Sequence, residues 1–204
     1  VTQPVQDAET SRLEAFSDGV FAIAITLLVL ELRVPDGKAS LWHRLTQQWP
    51  SFAAYVTSFF IIGIMWVNHH SMFRNIIRTD RVLLFLNLFL LLWTSLLPFP
   101  TRLVADHLGD GGSDAAVAEA VYSANLTFAA IAFSLIWIRA VRGGRLLAEP
   151  IGSARVEWRS IGRFSIGTFF YAATIGIAFA SPGIALALQF ALALYYLFEQ
   201  VRSD

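Results

Sequence analysis

Three places in the sequence put side chains capable of chemistry among apolar neighbours. The first is the start of "RLEAFSDGVFAIAITLLVLEL", residues 12–32. Arg12, Glu14, Ser17 and Asp18 stand at or just inside its leading edge, and from Gly19 to Leu30 the only polar side chain is that of Thr26. The second is "WVNHHSMF", residues 66–73, which offers Trp66, Asn68, His69 and His70. The third is Glu119, near the start of another apolar run and without an evident carboxylate partner. A carboxylate at the centre of a membrane helix costs about 2.5–3.5 kcal/mol by insertion scales. Each of these groups therefore needs a partner or a purpose.

Asp18 can accept hydrogen bonds from His69, His70, Asn68 or the Trp66 indole, with Arg12 as a nearby counter-charge. Such a cluster would lock two helices together. A proton relay and a metal site are the alternatives for the same residues. Adjacent histidines on a helix point about 100° apart and chelate one ion poorly, and no His-x3-His pair is present. Enzymatic signatures are missing too: neither H-E-x-x-H nor G-x-S-x-G occurs, and no paired carboxylates fall within an apolar run. Without cysteine there are no disulfides, thiolate metal sites or thiol nucleophiles.

The elements that must position these groups are membrane helices. Of 204 residues 56% are hydrophobic and 15% charged, against about 25% charged in a soluble domain. Fifteen basic and fifteen acidic residues cancel, so a nucleic-acid partner is not suggested. The polar start "VTQPVQDAETS" lacks the layout of a cleaved signal peptide. A spanning helix needs about 20 mostly apolar residues. Spans are expected near 15–33, 51–73, 82–101, 117–138, 160–180 and 184–199, with Pro98 and Pro100 ending the third and Pro182 in a tight "SPG" turn. The fold expected is an all-α bundle of six transmembrane helices, a single transmembrane domain over 1–204 with the lipid bilayer as its solvent.

Six spans place both termini on one side. Arg12, Arg74, Arg78, Arg81, Arg139, Arg142, Arg145, Arg155, Arg159, Arg163 and Arg202 would share it, facing only Arg33, Lys38, Arg44 and Arg102 opposite. This imbalance predicts cytoplasmic termini in a cell membrane. The helical spacing of Arg74, Arg78 and Arg81, and of Arg155, Arg159 and Arg163, reads as a topology signal, with a lipid-headgroup site as the alternative. Ala172, Gly176 and Ala180 form a small-residue stripe suited to close helix packing. On the first helix Ile23, Leu27 and Leu30 fall on one narrow stripe, extended by Phe16 and Gly19, with Thr26 roughly 60° away. Ser17 and Asp18 point more than about 100° from Ile23. Periodicity alone leaves the stripe free to face lipid or a neighbouring helix.

The string R-x-x-x-F-S-D, here Arg12, Phe16, Ser17 and Asp18, running into "GVFAIAITLLVLEL", resembles the signature of the transmembrane protein 175 family of potassium channels. The "WVNHHSMF" segment is similar to that family as well, and six spans in 204 residues resemble its bacterial form. The resemblance implies a homotetramer with four first helices around a pore that conducts potassium, with no other cofactor. It implies that Ile23, Leu27 and Leu30 line the pore, with Ile23 at the narrowest point, and that Thr26 contributes a selectivity-linked hydroxyl. It further implies that Arg12, Ser17 and Asp18 hold the first helix against the rest of its subunit, and Arg12, Phe16, Ser17, Asp18, Trp66, Asn68, His69 and His70 are expected to form one structural network. No "TVGYG" segment is visible, so discrimination would rest on pore width, hydroxyls and dewetting and would be weaker than a carbonyl filter gives. The rival class is a proton-coupled transporter or proton-conducting channel using Asp18 and the His69/His70 region. Transporters often show internal repeats and helices broken at mid-membrane, and neither is apparent here.

Overall fold

In a computed structural model, residues 3–33, 38–142, 146–148 and 154–203 are described, with side chains placed for 10–33, 38–142, 146–148 and 165–197. Arg145 lies outside the described residues, and so do the side chains of Arg155, Arg159, Arg163 and Arg202. The described residues form α1 (Gln3–Leu27), a 3-10 turn (Leu28–Glu31), α2 (Leu41–Gln47), α3 (Trp49–Phe73), α4 (Arg81–Leu96), α5 (Pro98–His107), α6 (Gly112–Arg142), α7 (Ala154–Ala180) and α8 (Pro182–Ser203).

Local chemistry accounts for most boundaries. Ser40 caps α2 by accepting from the His43 N–H at 3.3 Å, so the first polar connection holds a short helix where the sequence suggested only a loop. Asp80 caps α4 by accepting from the Leu83 N–H at 2.8 Å. Pro98 and Pro100 do not end the third span. Proline has no N–H to donate and is tolerated in a first helical turn. The chain therefore breaks at Leu97 and restarts as α5, carrying the polar residues Arg102 to His107 in a helix instead of a loop. Pro182 likewise opens α8, leaving Ser181 as the link from α7. Gly111 and Gly112, at φ 68° and 75°, make the sharp reversal between α5 and α6 that other residues resist.

Among the described residues, four helical segments are long and apolar enough to cross a membrane: Thr10–Glu31, Trp49–Phe73, Arg81–His107 and Gly112–Arg142. Within α7 and α8, the stretches Ser165–Ala180 and Pro182–Leu197 are apolar as well. Packing runs from α1 to α4, α6, α7, α8 and α3 and back to α1, with α5 laid against α3 and α6. Past the C-terminal ends of α3 and α6, the backbones of 75–78 and 146–148 pair, with Ile77 N–H donating to Leu146 O at 2.8 Å. The expected stripe of Ala172, Gly176 and Ala180 does not pack inside this bundle; all three are exposed, because α7 meets α6 and α8 through other faces such as Thr174 and Ala178.

Candidate functional site: the first helix and its polar anchor

α1, with the 3-10 turn that continues it, has two faces. Leu13, Ser17, Phe21, Ala24 and Leu28 recur every three or four residues and are buried, α1 against α3 and α4 and the turn against α3 and α5. The opposite face stays uncovered: Ile23 is 62% exposed, Leu27 41% and Leu30 67%, with Phe16 and Gly19 also exposed. Thr26 sits beside this stripe. Its hydroxyl donates within the helix, to Ala22 O and Ile23 O at 2.9 Å each. With its one proton spent there, the Thr26 oxygen turns only lone pairs outward, the complement of a cation.

The buried face carries the anchor. Ser17 Oγ donates to Leu13 O at 2.9 Å, so its lone pair must accept the Asn87 Nδ2 bond, also 2.9 Å. This orients the Asn87 amide and turns its Oδ1 to His69 Nε2, 3.0 Å away, which fixes the proton of that imidazole on Nε2. Ser17 and Asn87 are fully buried and His69 nearly so. His69 stacks on Phe73 with centroids 4.3 Å apart, and Phe21 meets its edge at 5.4 Å. Three helices are thereby tied at one depth.

Of the donors expected for Asp18, the Trp66 indole meets it, at 2.9 Å. His69 does not: it faces Asn87 on α4, since its side of α3 turns into the bundle. His70 is exposed and stacks on Trp66 at 6.2 Å, Asn68 is half-buried, and Arg12 is exposed. Asn87 was missed by sequence reasoning. Its signal was available, a lone amide inside "LLFLNLFLLL".

Glu119 is fully buried, and Ser123, a hydroxyl instead of a carboxylate, donates to it at 3.4 Å. Thr174 and Gln189 donate in turn to Ser123, at 3.1 and 2.8 Å, joining α6, α7 and α8. At the far end of α1, Arg102 bridges Glu31 at 3.1 Å and Asp106 at 3.2 Å. Asp80, outside the spans, pairs with Arg139. Partial burial pushes the Asp80 carboxyl up, but the Leu83 N–H and the Arg139 guanidinium outweigh it and hold the group below the ordinary value. No group of three or more His, Cys, Asp or Glu able to hold a metal ion occurs among the described residues.

The profile of the family described as "Endosomal/lysosomal potassium channel TMEM175" matches residues 12–98, the stretch holding both the exposed stripe and the anchor. A potassium channel of Streptomyces collinus is 48% identical over 95% of this chain and 94% of its own length. The chain belongs to the TMEM175 family. Its fold agrees: the crystal structure of a lysosomal potassium-selective channel TMEM175 homolog from Chamaesiphon minutus superposes with a TM-score of 0.83 at 37% identity. That match covers 94% of this chain and 98% of the other. The Danio rerio relative, named an endosomal/lysosomal proton channel TMEM175, is 30% identical over 98% of this chain but only 45% of its own length. This TMEM175 chain is accordingly a multi-pass membrane protein.

Proposed function

We propose that this chain is a potassium channel: a single transmembrane domain of six spans, with cytoplasmic termini in a cell membrane, that assembles as a homotetramer around four copies of α1. Ile23, Leu27 and Leu30 line the pore, Ile23 forms the constriction, and Thr26 supplies a ring of oxygen acceptors beside it. The observation that carries this reading is the uncovered apolar stripe of α1, set back to back with a fully buried polar anchor. One helix face cannot enclose a pore, so copies must meet about an axis. The Streptomyces and Chamaesiphon relatives, both named as potassium channels, support the permeant ion. The charge imbalance supports the orientation. Of the signature network of Arg12, Phe16, Ser17, Asp18, Trp66, Asn68, His69 and His70, the members Ser17, Asp18, Trp66 and His69, joined by Asn87, then serve to hold α1 on its subunit and leave the stripe, with Phe16, facing the axis.

Ile23 is β-branched and stiff at χ1, so four copies make a rigid collar that resists wetting. In proteoliposomes under bi-ionic conditions, Ile23→Ala is expected to raise current and admit sodium and caesium. Thr26→Val keeps the shape, removes the oxygen and is expected to lower the potassium-to-sodium permeability ratio. If neither variant moves current or reversal potential, α1 does not line the pore. A proton-conducting reading is favoured by the name of the Danio rerio relative. A pH-sensitive dye in the same liposomes distinguishes it, since proton flux without potassium current would replace the potassium assignment.

A further inference from the structure

Away from the exposed stripe of α1, the bundle contains an elongated cavity of about 280 Å³ between α3, α6, α7 and α8. Its α3 wall runs from Ile61 to Met72, about 17 Å at 1.5 Å per residue, and Asn75 continues it in the turn past the helix. The two ends differ in chemistry. The deep end is apolar, with Ile61, Met65, Leu126 and Phe133, while Asn68 and Ser71 on α3 and Asn75 just past it line the other end. Small residues set the width: Ala129 on α6, Gly167 on α7 and Ala193 on α8 leave a slot instead of a seam. Protein interiors are close-packed, and a void of this size forfeits dispersion contacts along its whole lining. An apolar floor does not hold water either. Arg74 and Arg78, both exposed, each follow a residue of the polar end, Ser71 and Asn75, by three positions in the chain, whereas Asp80, the acidic group nearest them in sequence, is already paired with Arg139.

We propose that this cavity is a binding site for one acyl chain of an anionic amphiphile. The tail lies between α3 and α6, and the head meets Ser71 and Asn75 under Arg74 and Arg78. A membrane phospholipid and a free fatty acid share this chemistry. The site is separate from Ile23, Thr26, Leu27 and Leu30 and does not depend on what passes along them.

The test uses the full chain in nanodiscs of phosphatidylcholine and phosphatidylglycerol in equal parts. Two probes carry a diazirine at the tail end, palmitate and a phosphatidylglycerol labelled on one chain, and cross-links are mapped by mass spectrometry. Labelling is expected at Met65, Leu126 and Phe133 from at least one probe. Labelling by the phospholipid alone identifies the bilayer as the source, and labelling by palmitate alone a free fatty acid. A Cβ on Gly167 would meet only Tyr171 Cε2, at 3.9 Å, so Gly167→Leu builds into the slot without a backbone clash. It is expected to cut inner labelling about tenfold or more, because excluding even two methylenes from apolar burial has that effect. Labelling of the outward-facing Phe85 and Phe169 should not change. Gly167→Ala checks folding, and Ala130→Leu replaces Gly167→Leu if that variant elutes aggregated. The paired Arg74→Gln and Arg78→Gln change should weaken labelling by palmitate but not by its methyl ester. Inner residues unlabelled by both probes, or labelled equally after the slot is filled, would overturn the proposal. Equal loss for acid and ester would overturn the anionic head.

Discussion

The Asn87–His69 bond offers a quantitative test of the anchor. Asn87→Leu keeps roughly the same volume but leaves the His69 Nε2–H without its acceptor, while Ser17 still donates to Leu13 O. His69→Phe leaves Asn87 Oδ1 without its donor, and the ring remains on Phe73 in an aromatic setting. An orphaned buried polar group costs about 1–3 kcal/mol. Interhelical hydrogen bonds inside a bilayer average nearer 0.6 and reach about 1.7 kcal/mol, because the separated helices find other partners. Full burial, distances of 2.9 and 3.0 Å and a three-helix chain place this bond toward the upper value. Each single variant should therefore lose about 1–2 kcal/mol. The double variant removes both partners and should lose less than their sum by about 1–1.5 kcal/mol, roughly tenfold in the unfolding equilibrium. The measurement is denaturant unfolding in mixed micelles for wild type, both singles and the double. A double variant whose loss equals the sum within about 0.3 kcal/mol would show that the two residues do not interact, and the anchor would be mere packing.

Other outcomes follow from the same geometry. Asp80 has a folded-state pKa below its ordinary value of 3.8, so its stabilisation is present above that value and lost as pH falls through the depressed one. Asp80→Asn keeps a good helix cap but not the charge; in acid unfolding below about pH 4 its stability should therefore fall less steeply than that of wild type. Trp66→Phe deletes the indole donor to Asp18 and should cost about 1 kcal/mol in thermal unfolding, low for a charged acceptor because both residues are exposed. An unchanged Tm would remove Asp18 from the anchor. Cysteines placed at Ser113 and Ala148, both exposed and at opposite ends of the bundle, should react with an impermeant thiol reagent outside intact cells only at Ser113. Reaction at Ala148 alone would invert the orientation.

Apolar run length was enough to find the long apolar helices, because a bilayer demands a stretch of about 20 residues, but it missed the short α2 and the restart of the chain as α5. The run from Gly19 to Leu30 and its polar edge were equally plain, since a carboxylate next to hydrocarbon is conspicuous by its cost. The two-faced character of α1 also follows from periodicity, as 3.6 residues per turn separates Ser17 from Ile23 before any neighbour is known. Which neighbour each face meets is different. Periodicity says that a residue points away from another, not toward what, so His69 stands beside His70, Asn68 and Trp66 as a possible donor to Asp18, and only the packing of α4 gives it Asn87 as its partner.

The prolines show the same limit. Pro98 forbids a continuing hydrogen-bond ladder, but whether the chain then turns out to water or restarts as a helix depends on what covers it. Here α5 restarts because its buried face, with Thr101 and Val104, packs on α3 and α6, and Thr101 reaches Ser58 at 2.7 Å. The small residues of α7 face outward for a related reason: a stripe permits close approach but cannot summon a partner. The sequence by itself determined the class of solvent, the long apolar helices and the two faces of the first one, all set by local spacing and the cost of burying charge. Only the tertiary structure decided the partners of Ser17, Asp18 and Glu119 and the slot beside Gly167, because these depend on residues distant in the chain arriving at the same depth.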